Sequence, residues 1–161
     1  MTDTISIGML IAKRYRVEEI MGDAAFSVAV AAHDTFTGVD VCLKIYKNSK
    51  SIFDQGLDEI RILAAINKLD PDGSKSRILR LVDFFYFQER LVLVLELLKA
   101  NLFEVWKYNS KMLSTGPWFT IRRLQRIAYQ VKVHQSRAKD RVLCSFLPSR
   151  LYEVCLFVLT L

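Results

Sequence analysis

With 161 residues, 52% of them hydrophobic and 25% charged, the chain has the composition of a folded domain rather than a disordered polymer, and it is too short for a complete two-lobed enzyme. The formal net charge of +6 is unevenly spread: residues 1–100 hold 13 basic and 14 acidic side chains, residues 101–161 hold 10 and 3. The basic residues of the last third are scattered along a helical-looking stretch without interleaved aromatics, which disfavours nucleic acid as a partner.

In chain order, residues 1–13 read as a leader. Residues 15–21 alternate loosely and predict a strand, and the small residues of Gly22-Asp23-Ala24-Ala25-Phe26-Ser27 break it. Residues 28–33 predict a second strand. Asp34-Thr35-Phe36-Thr37-Gly38 is turn chemistry, and residues 39–46 predict a third strand antiparallel to the second. A helix follows, capped by Ser49 or Ser51, with Phe53, Leu57, Ile60, Leu63, Ala64 and Ile66 on one broad apolar face. Leu69-Asp70-Pro71-Asp72-Gly73-Ser74 ends it. Residues 78–87 and 91–96 predict two more strands joined by Gln88-Glu89-Arg90. The second, apolar on both faces, belongs in the middle of a sheet. Beyond Leu98 the pattern turns helical: a short helix over 101–109, a loop at Ser114-Thr115-Gly116-Pro117, and a helix from Ile121 through Val131 capped by Thr120. From about Lys132 no period persists, and the tail 132–161 is expected to be poorly ordered.

Cys42, Cys144 and Cys155 form no close pair, and with only His33 and His134 beside them no zinc pattern assembles. An odd, sparse set of thiols predicts a reducing, intracellular setting, cytoplasmic or nuclear. Residues 1–11 lack the basic and apolar regions of a signal peptide. The longest uncharged apolar run near the end, residues 154–161, is far shorter than the roughly 20 residues that cross a bilayer. No membrane partner is expected.

The order β-β-β-α-β-β resembles the small lobe of a protein kinase. Lys44 ends Val41-Cys42-Leu43-Lys44, in the place of the Val-Ala-Ile-Lys motif, and Glu59 follows 15 residues later inside the predicted helix. Taken alone, Lys44 is a solvated strand-end lysine and Glu59 an exposed helix carboxylate; together in this order they form a pair. A lysine that faces phosphates needs a carboxylate to hold its flexible stem.

Several segments are similar to the DYRK branch of the CMGC kinases: Phe53-Asp54-Gln55 leading into Asp58-Glu59-Ile60, Ile66-Asn67-Lys68-Leu69-Asp70-Pro71, Asp83-Phe84-Phe85-Tyr86-Phe87, and the run from Leu95-Glu96-Leu97-Leu98 through Lys99-Ala100-Asn101-Leu102. Residues 38–44 resemble a plant-type subset of that branch. The resemblance spans about residues 7–130. It implies an α+β small lobe over 14–98, a five-stranded antiparallel sheet with one helix, and the start of a helical large lobe over 99–131. It also implies a nucleotide site: Met21, Ala29 and Cys42 against the adenine faces, Leu95 as gatekeeper, and Glu96 to Leu98 as the hinge whose backbone bonds the adenine edge. Gly22 and Phe26 belong to the loop over the phosphates. That loop departs from G-x-G-x-x-G-x-V, since Ala24, Ser27 and Ala29 follow Gly22.

The resemblance fades after Gln130. No H-R-D-L-x-x-x-N follows, since Gln135 comes after His134 with no Asp two residues on. Asp83-Phe84-Phe85 lacks the glycine of D-F-G and precedes the hinge, and no A-P-E is present. The implied parent is an ATP-dependent serine/threonine or dual-specificity protein kinase, with ATP, Mg²⁺ and protein substrates as its partners. The 161-residue chain itself is expected to be inactive and to hold ATP weakly at best, its tail reflecting either a departure from the kinase reading frame or splice pattern or a true short form. The alternative is a non-catalytic module that competes for a kinase's partners.

Overall fold

A computed structural model of the chain describes residues 5–71, 79–99, 105–109 and 119–129. The described residues fall into two units, one of residues 5–71 and 79–97, the other of residues 98–99, 105–109 and 119–129. The loop at 114–117, the strand start at Ile78, His134, Cys144, Cys155 and the tail 132–161 lie outside the described residues.

The first unit is an antiparallel sheet with one helix. Its elements are β1 (Leu10–Ile11), β2 (Tyr15–Asp23), β3 (Ser27–Asp34), β4 (Val39–Tyr46), α1 (Lys50–Leu69), β5 (Leu81–Phe87) and β6 (Arg90–Glu96). The strand order is β1-β2-β3-β4-β6-β5. The five expected strands are all present, and β1 adds a sixth. Two residues are too few to show a period. Their pairing is nonetheless firm: Leu10 lies opposite Arg16 and Ile11 opposite Tyr15, while Gly8 N–H donates to the Val17 carbonyl at 2.8 Å.

The doubly apolar strand is interior, as its composition predicts. β6 lies between β4 and β5, and Leu91 through Leu95 are all buried. Alternation then divides the sheet into two faces. Val41, Leu43 and Ile45 of β4 join Ile11, Tyr15, Val17, Val30, Ala32, Val92 and Val94 in the core, with Phe85 and Phe87 packed against it. Each fully buried valine, leucine or isoleucine among them contributes about 1.5–3 kcal/mol. The intervening residues Cys42, Lys44 and Tyr46 point to the opposite face, where α1 lies. Helix and sheet approach closely at Gly56, where an added Cβ would sit 2.6 Å from Leu91 Cδ2 and 3.2 Å from Tyr46 Cε2.

The β3–β4 turn is built by Asp34. Its buried carboxylate receives both Nε and Nη2 of Arg14, at 2.8 and 2.7 Å, the Thr37 hydroxyl at 2.7 Å and the Phe36 N–H at 3.0 Å. Gly38 closes the turn at φ +72°, a conformation that favours glycine, with its N–H on the Asp34 carbonyl. The guanidinium first, then the Thr37 hydroxyl and the Phe36 amide, hold the Asp34 carboxyl well below the usual carboxylate range against the opposing effect of burial.

Helix α1 starts after Ser49, which gives no side-chain cap bond, and ends at Asp70, whose N–H reaches the Ile66 carbonyl at 2.9 Å. Asn67 ties its last turn to the start of β5 through the Leu81 carbonyl at 2.6 Å. In the second unit, residues 105–109 and 121–129 are helical. Thr120 caps the latter as predicted, its hydroxyl accepting the Arg123 N–H at 3.4 Å.

Candidate functional site

The sheet face that carries α1 also carries most of the residues singled out in the sequence. In the β3–β4 register Ala29 stands opposite Lys44 and Ala31 opposite Cys42; in the β4–β6 register Cys42 stands opposite Leu95 and Lys44 opposite Leu93. Directly opposed residues share a face. Ala29, Cys42, Lys44 and Leu95 therefore form one surface, small and apolar at one end and cationic at the other.

Lys44 and Glu59 meet as their spacing predicts. Lys44 Nζ lies 3.0 Å from Glu59 Oε1 and 2.8 Å from Oε2. The lysine side chain is 25% exposed and the glutamate 11%, so this is a largely desolvated pair rather than a surface ion pair. The helix supplies the carboxylate at the right height because Gly56, one turn earlier, lets α1 settle onto Tyr46 and Leu91.

Sequence reasoning passed over Tyr46. Its hydroxyl also hydrogen-bonds Glu59 Oε2, and its ring centroid lies 5.1 Å from Lys44 Nζ. Burial first, then the adjacent carboxylate, push the Tyr46 hydroxyl pKa upward, so the phenol stays protonated and can donate. The signal was available, since i and i+2 of a strand share a face, as do i and i+3 of a helix, which links Gly56 to Glu59.

Of the other predicted residues, Met21 is exposed at a bulge in β2 and Gly22 pairs with Ala29 across the β2–β3 hairpin. A Cβ at Gly22 would meet nothing within 4 Å. The hairpin tip is held by Ala24 N–H on the Ser27 carbonyl and by Lys47 N–H on the Phe26 carbonyl, both at 2.9 Å, and by the Lys47–Asp23 ion pair at 3.0 Å. Gly22 with one alanine, Ala24, and one serine, Ser27, thus still makes the loop that three glycines usually make. Burial raises the Cys42 thiol pKa to about 11, which keeps it neutral, as an apolar wall requires.

Leu95 is buried on β6. Glu96 exchanges two bonds with Arg80: its backbone N–H donates to the Arg80 carbonyl at 3.1 Å, and its Oε1 accepts the Arg80 N–H at 2.9 Å. Any Glu96 contribution to a ligand edge therefore falls to its carbonyl. Leu98 is half-buried and belongs to the second unit. Among the described residues no three His, Cys, Asp or Glu side chains cluster as a metal site needs, and no helix is long and apolar enough to cross a membrane.

No protein-family model matches the chain. Among curated proteins, it is 39% identical over 99 residues to the Dictyostelium discoideum "Probable serine/threonine-protein kinase dyrk2", covering 62% of this chain and 11% of that protein. It is 37% identical over 100 residues to the human dual specificity tyrosine-phosphorylation-regulated kinase 4, covering 62% of this chain and 19% of the relative. With the corresponding Drosophila melanogaster kinase 2 it shares 34% over 100 residues, 62% of this chain and 14% of the relative. The chain thus spans between a tenth and a fifth of the length of these relatives. Its N-terminal part is similar to DYRK-family protein kinases of the CMGC group, and the curled sheet with one helix is the arrangement of a kinase small lobe.

Proposed function

From this kinship to the DYRK kinases, we propose that the first unit is the nucleotide-binding lobe of a serine/threonine or dual-specificity protein kinase. The observation that carries the reading is the Lys44 ammonium bracketed by both Glu59 oxygens, at 2.8 and 3.0 Å, on the same face as Ala29, Cys42 and Leu95. In this reading the apolar end packs against adenine and the Glu96 carbonyl meets its edge. Lys44, kept from swinging into solvent, presents its charge to the α- and β-phosphates. Gly22 supports the assignment: the fold itself leaves room for a Cβ there, so close approach of a phosphate is a reason for its absence.

Phosphoryl transfer also needs a base for the substrate hydroxyl and protein ligands for the divalent cation. These 161 residues contain neither the H-R-D-L-x-x-x-N nor the D-F-G motif that supplies them. As a stand-alone polypeptide the chain therefore holds nucleotide weakly and does not turn it over. A thermal-shift titration with ATP should raise the melting temperature almost equally with and without Mg²⁺. Metal-dependent ATP consumption by the purified chain would overturn the inactive reading.

A second reading, a module that captures a kinase's partners, is favoured by one feature. The edge strand β5 exposes Phe84 and Tyr86, and Tyr86 also lines a pocket of about 240 Å³ with Phe53, Leu91 and residues 46–50, where β4 leads into α1. Capture of the intact kinase's partners without nucleotide affinity would select it.

A further inference from the structure

We infer that Tyr46 is a second, Lys44-independent anchor for Glu59, and so a positioning residue for the phosphate-facing lysine. The inference rests on the nucleotide-lobe reading above and deepens it. Glu59 projects from α1 into a site where its side chain is 11% exposed. A carboxylate so far from water needs more than one polar partner, and β4 supplies two from one face: the ammonium of Lys44 and, two residues on, the hydroxyl of Tyr46.

The surroundings are shaped for this contact. Tyr46 is itself buried, so its ring has little freedom to leave. Gly56 stands one helical turn before Glu59, where even a methyl group would press on the ring at 3.2 Å. The ring also lies beside the ammonium, its centroid 5.1 Å from Nζ, so the same side chain touches both members of the pair.

The consequence concerns what happens when phosphate competes for Lys44. If the ammonium were the only link between helix and sheet, each shift of Nζ toward a phosphate would weaken the hold on Glu59 and on α1. With Tyr46 bonded to the same carboxylate, the helix stays docked while the lysine turns outward. Nucleotide binding then does not have to be coupled to helix movement through the ion pair alone.

The test uses the full 161-residue chain as wild type, Tyr46→Phe, Lys44→Met and the double variant. Tyr46→Phe removes one oxygen atom. Denaturant unfolding should show non-additivity: Tyr46→Phe lowers the folding constant at least fivefold more in the Lys44→Met background, where it removes the remaining polar partner of Glu59 among the described residues, than in the wild type. Additive effects would overturn the inference. If Lys44→Met does not fold, hydrogen exchange on the single Tyr46→Phe variant decides: amides of the α1 turn at residues 56–60 should lose protection several-fold more than those of β2, and uniform loss overturns the inference. Affinity for a non-hydrolysable ATP analogue separates the two readings. Tyr46→Phe should weaken it three- to tenfold, and not at all once Lys44 is Met; unchanged affinity in the single variant counts against positioning. A wild-type chain with no nucleotide affinity but with coupled unfolding refutes the nucleotide reading, not the anchor.

Discussion

Replacing Asp34 by Asn removes one negative charge and leaves the shape of the β3–β4 turn intact. The wild-type carboxylate is 3% exposed and takes two bonds from Arg14, whose side chain is 27% exposed, along with the Thr37 hydroxyl and the Phe36 amide. Breaking a buried pair costs about 3–5 kcal/mol. Arg14 can turn partly to water, and Asn still accepts one or two of the four bonds, which brings the expected cost to about 2–3 kcal/mol at pH 7. For a lobe of this size each kcal/mol lowers Tm by roughly 4–8 °C. The pH dependence follows from the sign of the shift. The folded-state pKa of Asp34 is depressed, so its contribution is fully present above the unfolded value of about 3.9 and is lost as pH falls through the lower folded value. Urea unfolding followed by circular dichroism should therefore show a steady gap between wild type and Asp34→Asn above about pH 5 that closes as pH falls below about 4. A cost under 1 kcal/mol at pH 7, or a constant gap at all pH values, would refute the reasoning.

Tyr15→Phe should be neutral or stabilising by about 1 kcal/mol, because the Tyr15 hydroxyl is buried with no hydrogen-bond partner among the described residues while its ring stacks on Phe85 at 5.5 Å; a loss above 1 kcal/mol in the same urea assay would contradict this. The β5–β6 turn places Gln88 at φ +46° and Glu89 at φ +58°, so Asn-Gly there should raise stability by about 0.5–1 kcal/mol despite the lost exposed Asn48–Glu89 bond at 3.2 Å, and a lower melting temperature would be the opposite result. Gly22→Ala should leave the melting temperature unchanged or slightly higher, since a Cβ there meets nothing within 4 Å, yet weaken binding of an ATP analogue several-fold; a destabilised variant would show that the glycine serves the fold instead.

Much of this was legible because periodicity and burial coincide. Residues 39–46 were readable as a strand, in which the structure sets Val41, Leu43 and Ile45 on one face and Cys42 and Lys44 on the other, and the all-apolar run at 91–95 could only be interior. The spacing of Lys44 and Glu59 was readable only through the order of elements around it, because neither residue is informative alone. Tertiary contacts were less visible. Strand β1 exists through its pairing with β2 rather than through any pattern of its own. The value of Gly56 lies in the ring and methyl groups it nearly touches, which come from Tyr46 and Leu91 on two different strands. The Arg14–Asp34 pair joins residues 20 apart across a hairpin, and exposed arginines and aspartates are too common for a sequence to mark this one.

The central claim is that Lys44, held by Glu59, faces nucleotide phosphates. It is tested most directly with an acyl-phosphate derivative of ATP, whose carbonyl is attacked by a neighbouring amine to form an amide with release of ATP. Peptide mass spectrometry of the full chain should find acylation concentrated on Lys44, suppressed by excess ATP and reduced in Glu59→Gln. Acylation spread over the exposed lysines Lys47, Lys50 and Lys68, with no protection by ATP, would contradict the account.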